Sequence, residues 1–304
     1  MAGQMGYLTD RRADLRNDPR TLLPSARSII CVGKLYNGPQ PYSTRFDDRE
    51  RAWISRYAWG EDYHGLMRDS LHRLAAGLEQ IAGPFDWKAC VDTAPLLERV
   101  YARRAGLGWI GRNTCLINEG QGSWFFLGEL LVSLEFAPDM PPPDRCGTCT
   151  RCIDACPTRA IIPGPVPSLD ARRCISYFTI ELRGPVPEEH RAAAGNNVFG
   201  CDICQDVCPW NRKAPITSDA AFAPREMAPP LEKLARLEEP EFREMFRGTP
   251  VTRARYAGFL RNVAVAMGAA ASEKFRDPLE ALAQHPDPLV REHALWALGR
   301  LKAA

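Results

Sequence analysis

No apolar stretch in this chain approaches the roughly 20 residues that a helix needs to cross a bilayer. The longest, Val263 to Ala271, is far shorter, so no membrane span is expected. The N-terminus, MAGQMGYLTDRRADLRNDPR, carries charges where a secretory signal needs an apolar core, which points to the cytoplasm. Net charge is also scarce: 39 Lys and Arg stand against 37 Asp and Glu, giving +2. The chain as a whole therefore has no strong pull toward nucleic acid or membrane, and any such surface must be local. With 45% apolar and 25% charged residues, disorder and collagen-like architectures are excluded. The 304 residues suffice for about two domains of roughly 150 each, or one large domain with an insert.

Cysteine is the residue in excess. Eleven are too many for a cytoplasmic chain unless they have a task, because disulfides do not persist there. Before they begin, the pattern is mixed α/β. Ser28–Leu35 is β-branched and apolar, a buried strand. From Asp62 to Ile81 the apolar stripe Met67, Leu71, Leu74, Leu78 and Ile81 predicts a helix stopped by Gly83-Pro84. Trp87–Val91 reads as a strand delivering Asp92 at its end, and Pro95 opens a helix to about Ala105. Thr114–Asn118 and Ser123–Phe136 are apolar runs joined by a hairpin signal at residues 119–122. The proline-rich PDMPPPD of residues 138–144 predicts a stiff linker. Three segments follow: an α/β core over 1–137, a cysteine-rich segment over 138–224 and a helical region over 225–304. Within the last, residues 262–268 and 293–299 resemble each other at a shift of 31, which hints at helical repeats.

Cys146, Cys149, Cys152 and Cys156-Pro157 spell C-x2-C-x2-C-x3-C-P, and Cys201, Cys204 and Cys208-Pro209 give C-x2-C-x3-C-P. Bacterial ferredoxins hold [4Fe-4S] clusters on such runs, the last Cys of each ligating the other cluster. One cluster then takes Cys146, Cys149, Cys152 and Cys208. The other takes Cys156, Cys201 and Cys204, with Cys174 as fourth ligand by elimination. A zinc ribbon wants two C-x2-C pairs and fits the triple run and the Cys-Pro pairs poorly. Cys31, Cys90 and Cys115 sit in apolar strands as core packing.

Gly106-Leu-Gly-Trp-Ile-Gly111 matches G-x-G-x-x-G, but it follows an expected helix, whereas a dinucleotide fingerprint follows a strand. Its glycines instead suit a C-cap and a loop approached closely by something flat or large. Asp62-Tyr-His64-Gly65 does not match the D-x-H-x-x-G corrinoid loop, its Gly falling two positions early. Asp92, at the end of a buried strand, could be desolvated into a proton donor, with an N-cap role as the competing reading. Two acid-free basic stretches stand out: one holds Arg99, Arg103, Arg104 and Arg112, the other Arg247, Arg253, Arg255 and Arg261. The second interleaves Phe246, Tyr256 and Phe259, which suits RNA phosphates and bases; a solvated helix face explains it equally well.

Taken together, VDTAPLLERVYARRAGLGWIGRNTCLI, the cysteine runs, SRYAWGEDYH at 55–64, CISYFTIE at 174–181, CDICQDVCPWN at 201–211 and RNVAVAMG at 261–268 closely resemble the epoxyqueuosine reductases. These are cobalamin-dependent iron-sulfur enzymes of tRNA queuosine biosynthesis. The resemblance covers nearly the whole chain, although family members usually begin with a further N-terminal helical segment. It implies an α/β corrinoid-binding core related to reductive dehalogenases, a two-cluster ferredoxin-like module and an all-α, HEAT-like C-terminal region. It also implies base-off cobalamin between core and module, with Asp92 of the VDTAP motif as proton donor. Candidate corrin contacts are Arg56, Tyr57, His64, Asn113, Thr114, Ser176, Tyr177 and Asp202. Arg247, Arg253, Arg255 and Arg261 would grip the anticodon stem-loop of tRNAs with GUN anticodons that carry epoxyqueuosine.

Removing the epoxide oxygen as water consumes two electrons and two protons, so an external low-potential donor is implied, with the two clusters as its wire. A monomer is expected. Two rival readings remain: a corrinoid reductase of a small molecule such as an organohalide, and a non-catalytic ferredoxin-type carrier.

Overall fold

The computed structural model describes residues 1–10 and 12–301. Ser28–Leu35 (β1), Trp87–Cys90 (β2) and Phe125–Val132 (β3) form an antiparallel sheet with β3 in the centre. The longest helix, Tyr63–Ala82 (α1), covers one face. Asp62 caps it by accepting the His64 N–H, and Gly83, with φ 78°, ends it. Met67, Leu71 and Ala75 are buried against Phe126, Leu130 and Val132, so the expected stripe packs as periodicity requires. Ile81 leaves that stripe: it is 86% exposed, because the last turn stands out in solvent.

Glu98–Arg104 (α2) starts later than Pro95. Asp92 does not cap it: Leu97 precedes the helix, and Asp92 takes a left-handed φ of 44° in the turn after β2. Beyond α2, Gly106 (φ 77°) reverses the chain and Trp109–Ile110 pairs antiparallel with Leu116–Ile117. The close approach expected at the glycine-rich loop is made by the chain itself. A Cβ on Gly108 would run into the Ile117 carbonyl.

Residues 137–146 have no regular structure and lead into the cysteine-rich segment, which contains one helix of note, Ile175–Ile180 (α3). The rest of the chain is helical. Its two long members, Tyr256–Ala270 (α4) and Pro288–Leu301 (α5), pack on each other. The repeat positions Asn262 and His293 are both buried. Asn262 donates to the Thr179 and Val198 carbonyls, while His293 accepts the Val186 N–H. The largest apolar cluster joins these helices to Trp53, Ile54 and Trp59 of the first segment and Val198 and Phe199 of the second. Trp53–Ile54 also pairs in parallel with Asn197–Phe199. Among the described residues no helix is long and apolar enough to cross a membrane.

Gly108→Ala is expected to cost about 1–3 kcal/mol by forcing two backbones apart, read as a lower denaturant midpoint at unchanged slope.

Candidate functional site

The fold gathers the thiols in two groups. Cys152 and Cys208 each lie within electrostatic reach of Cys146 and Cys149. Cys156, Cys174, Cys201 and Cys204 line one cavity. Burial comes first and mutual repulsion second in raising Cys152 and Cys208 to about 11. Cys201 and Cys204 are likewise driven up by burial. Desolvated thiols crowded together are costly unless a cation draws off their protons, so both groups suit a metal cluster. Among the described residues none of these groups closes on a single metal ion. The local backbone is ready for thiolates. The Ala160 N–H donates to Cys156 Sγ at 3.2 Å, and the Ser176 and Tyr177 amides face Cys174. The indole N–H of Trp109 donates to Cys146 Sγ at 3.5 Å.

The cavity lies between the second thiol group and the sheet domain, and has a volume of about 370 Å³. Tyr36, Tyr57, Tyr63, Phe125 and Phe126 supply flat walls, and Ser55, Asn113, Thr114, Ser176 and Gln205 supply polar atoms. Phe125 also borders a more open pocket of about 660 Å³ that reaches Lys34 and Asp219. A large flat cofactor with a polar periphery fits this pair of spaces.

Above Tyr63 stands an Asp–His–Asp array. His64 Nδ1 is 2.6 Å from Asp62 Oδ1, and its Nε2 is 3.1 Å from Asp92 Oδ2. Tyr63 stacks on His64 at 4.3 Å and on Phe126 at 4.1 Å, tying the array to the cavity wall. Arg253 reaches Asp92 at 3.6 Å and Glu181 at 2.8 Å. The expectation that burial raises the Asp92 pKa is overturned. The hydrogen bond from His64 outweighs burial and holds the carboxyl below its ordinary value. His64 is raised in turn, chiefly by Asp92, so at neutral pH the shared proton resides on the imidazole.

Of the expected cofactor contacts, Tyr57, Asn113, Thr114 and Ser176 line the cavity and His64 joins the array. The Tyr177 hydroxyl instead accepts the Gln4 N–H. Arg56 and Asp202 need correction. Arg56 is buried, its guanidinium donating to the Gly38, Gln40 and Pro41 carbonyls under Trp59, and Asp202 is buried among three donors. Arg261 is no RNA contact either: it is 1% exposed and donates to the Phe178, Leu182 and Gly184 carbonyls beyond α3. Arg247, Arg253 and Arg255 are exposed. Sequence reasoning missed Glu98, Glu129 and Glu181, and met Asp62 only in a motif that does not match. Glu129 alone left a trace, as the one charge in the apolar run Phe125–Val132.

Two outcomes follow from this geometry. Arg261→Ala is expected to lose about 3 kcal/mol or more of stability, because three carbonyls lose a charged donor; equilibrium unfolding measures it. By NMR, His64 is expected to titrate above the ordinary imidazole value and to move down in Asp92→Asn. Its stabilising pairing is complete below about 6.5 and is lost as pH rises through the raised value.

Comparison with known proteins bears on the whole chain. Residues 145–211 match the family model described as 4Fe-4S double cluster binding domain, and residues 16–93 match the one described as Epoxyqueuosine reductase QueG, DUF1730. An epoxyqueuosine reductase of Xanthomonas campestris pv. campestris is 45% identical over 98% of this chain and 84% of its own length. A crystal structure of an epoxyqueuosine reductase with an epoxyqueuosine-modified tRNA-Tyr stem loop superposes with a TM-score of 0.85 at 33% identity, over 93% of this chain and 76% of that one. A Bacillus subtilis epoxyqueuosine reductase, whose aspartate-bearing catalytic loop is swung out of the active site, gives 0.86 at 31% identity, over 99% and 81%. This chain belongs to the epoxyqueuosine reductase family.

Proposed function

We propose that this protein reduces epoxyqueuosine to queuosine at the wobble position of tRNA, removing the epoxide oxygen as water. The observation that carries the reading is the Asp92–His64 pair standing over a cavity lined by four cysteines. Proton delivery and electron delivery then converge on one space. The tRNA is one with a GUN anticodon, and the cytoplasm is the place of action.

Residues 138–224 carry two [4Fe-4S] clusters, one on Cys146, Cys149, Cys152 and Cys208, the other on Cys156, Cys174, Cys201 and Cys204. Bound there, the clusters would pass single electrons inward from an external low-potential donor. Tyr57, Asn113, Thr114 and Ser176, in a corrinoid-binding core at residues 1–137, would hold cobalamin, which would supply the reducing power that no side chain has. Asp92 orients the His64 imidazolium, and the pair protonates the departing oxygen. Asp62 on the far ring nitrogen fixes the imidazole and favours its charged form. Arg247, Arg253 and Arg255, in a HEAT-like region at residues 225–304, contact the RNA backbone. Arg253 also neutralises Asp92 and Glu181 when the site is empty of phosphate.

The test is anaerobic turnover of reconstituted protein with cobalamin, a strong reductant and tRNA carrying epoxyqueuosine, the nucleosides read by mass spectrometry. Loss of one oxygen is expected. No conversion with cobalamin bound would favour a small-molecule reductase, and no cobalamin binding would favour an electron carrier. Asp92→Asn is expected to lower turnover about 100-fold or more with cluster spectra intact. Trp109→Phe removes an N–H···S bond and is expected to make one cluster harder to reduce, by a potentiometric titration followed by electron paramagnetic resonance.

A further inference from the structure

The two thiol groups face different surroundings. Cys156, Cys174, Cys201 and Cys204 line the cavity, whereas Cys146, Cys149, Cys152 and Cys208 lie outside it. Of this first group only Cys208 is buried; Cys146, Cys149 and Cys152 are half-buried. Electron tunnelling weakens steeply with distance, so a donor arriving from solution has to come up against the first group, the second being the one that meets the cofactor space. An aromatic pair marks the approach. Trp109 donates its indole N–H to Cys146 Sγ, and the half-buried Trp210 packs edge-on against Trp109 at 5.0 Å, next to Cys208.

The chain around this first group is basic. Within five residues of its cysteines the exposed charged side chains are Asp144, Arg145, Arg151, Asp154, Arg212 and Lys213. Both acids are engaged by the loop itself: Asp144 accepts the Cys146 N–H at 2.7 Å and Asp154 accepts the Thr150 hydroxyl at 2.7 Å. Arg145 pairs with Glu119 at 3.2 Å. Arg112 joins from the sheet domain, its guanidinium donating at 2.8 Å to the carbonyl of Gly147, which follows Cys146. Arg112, Arg151, Arg212 and Lys213 form no ion pair among the described residues. On a chain whose net charge is only +2, unmatched cations are thus concentrated around one thiol group. Water screens exposed cations from the thiolates beneath them, so they act most strongly on a partner that covers them.

We propose that the basic rim formed by Arg112, Arg151, Arg212 and Lys213 around the first thiol group is the docking surface of the external electron donor, and that the donor is a small acidic one-electron carrier protein. This rests on the reading above in which the thiol groups hold clusters that an external donor charges. Redox partners meet through small, short-lived interfaces, and opposite charge brings them together quickly without holding them. Each encounter moves one electron: the carrier is oxidised by one, the site on the first thiol group is reduced by one, and no bond forms or breaks. Two encounters supply the two electrons of one product. A nicotinamide donor fits poorly, because it delivers a hydride and the glycine-rich loop at residues 106–111 is closed against Ile117. RNA phosphates would also suit the cations, yet the thiol group gives an electron carrier a reason to dock here and gives an RNA none.

The probe is a reduced, acidic plant-type [2Fe-2S] ferredoxin, mixed anaerobically with the reconstituted full chain in the absence of tRNA, with reduction followed by stopped-flow absorbance. The second-order rate is expected to fall about tenfold or more between low salt and about 0.3 M salt. Binding of the oxidised ferredoxin, measured by calorimetry, should weaken over the same range. Arg151→Glu combined with Lys213→Glu is expected to lower the low-salt rate about tenfold or more and to flatten its salt dependence. Full reduction by titanium(III) citrate and affinity for tRNA should stay as in wild type. A wild-type rate that does not change with salt, or a double variant reduced by ferredoxin as fast as wild type, overturns the proposal. So does a double variant that loses tRNA affinity and keeps its ferredoxin rate, which would give the rim to RNA. A chain that takes up no iron overturns the cluster reading, and this one with it. Since epoxyqueuosine is absent from the assay, failure of turnover counts against the function reading alone, and failure of docking leaves turnover with titanium(III) citrate intact.

Discussion

The architecture hangs on one buried carboxylate. Asp202 lies between Cys201 and Cys204, and it accepts the Trp53 indole N–H at 3.1 Å, the Arg56 backbone N–H at 2.8 Å and the Ser55 hydroxyl. Burial raises the proton affinity of this carboxyl, and the three donors pull against that rise and fix its position from three directions. The cysteine loop is thereby fastened to the segment that continues into Tyr57, Tyr63 and His64. The cavity exists because this clamp sets the spacing between a wall of aromatic rings and a floor of thiols. Arg56 completes it, spanning from the clamp to the Gly38–Pro41 turn while stacked at 4.5 Å on Trp59.

A second fastening works the same way at the other border. Arg261 and Asn262 of α4 take up carbonyls at the end of α3 and at Val198, groups that a short helix leaves without intrahelical partners. The C-terminal helices are thus part of the same packed body as the thiol loops. The arginines of residues 247–261 divide by depth. Arg261 faces inward and has its donors engaged by protein, whereas Arg253 is partly exposed and pairs with Asp92 and Glu181.

How much of this the sequence disclosed follows from what makes a local signal. Cysteine spacing is local, so both runs were legible in the chain alone; the fold brings Cys208 near the first run and Cys174 to the cavity that Cys156, Cys201 and Cys204 line. Strands β1 and β3 and helix α1 were legible because periodicity and caps are local. Asp202, Arg56 and Arg261 were misjudged because a charged residue's burial depends on partners 15 to 149 positions away. Asp92 was placed correctly at a strand end, yet its protonation was misjudged, since the decisive partner, His64, comes from another helix. Glu129 stood out as the one charge in an apolar run, and its complete burial is fixed by the sheet register rather than by that run.

Electrostatics explains why acids and thiols can coexist across so small a cavity. Each electron that enters the floor adds negative charge in a medium of low dielectric and raises the proton affinity of groups above it. An ionised Glu129 would oppose that entry, because it would hold an unpaired charge inside the sheet before the electron came. Burial first and the Glu98 charge second push Glu129 up to about 9, and a neutral Glu129 does not oppose it. Arg253, poised between Asp92 and Glu181, damps the remaining imbalance.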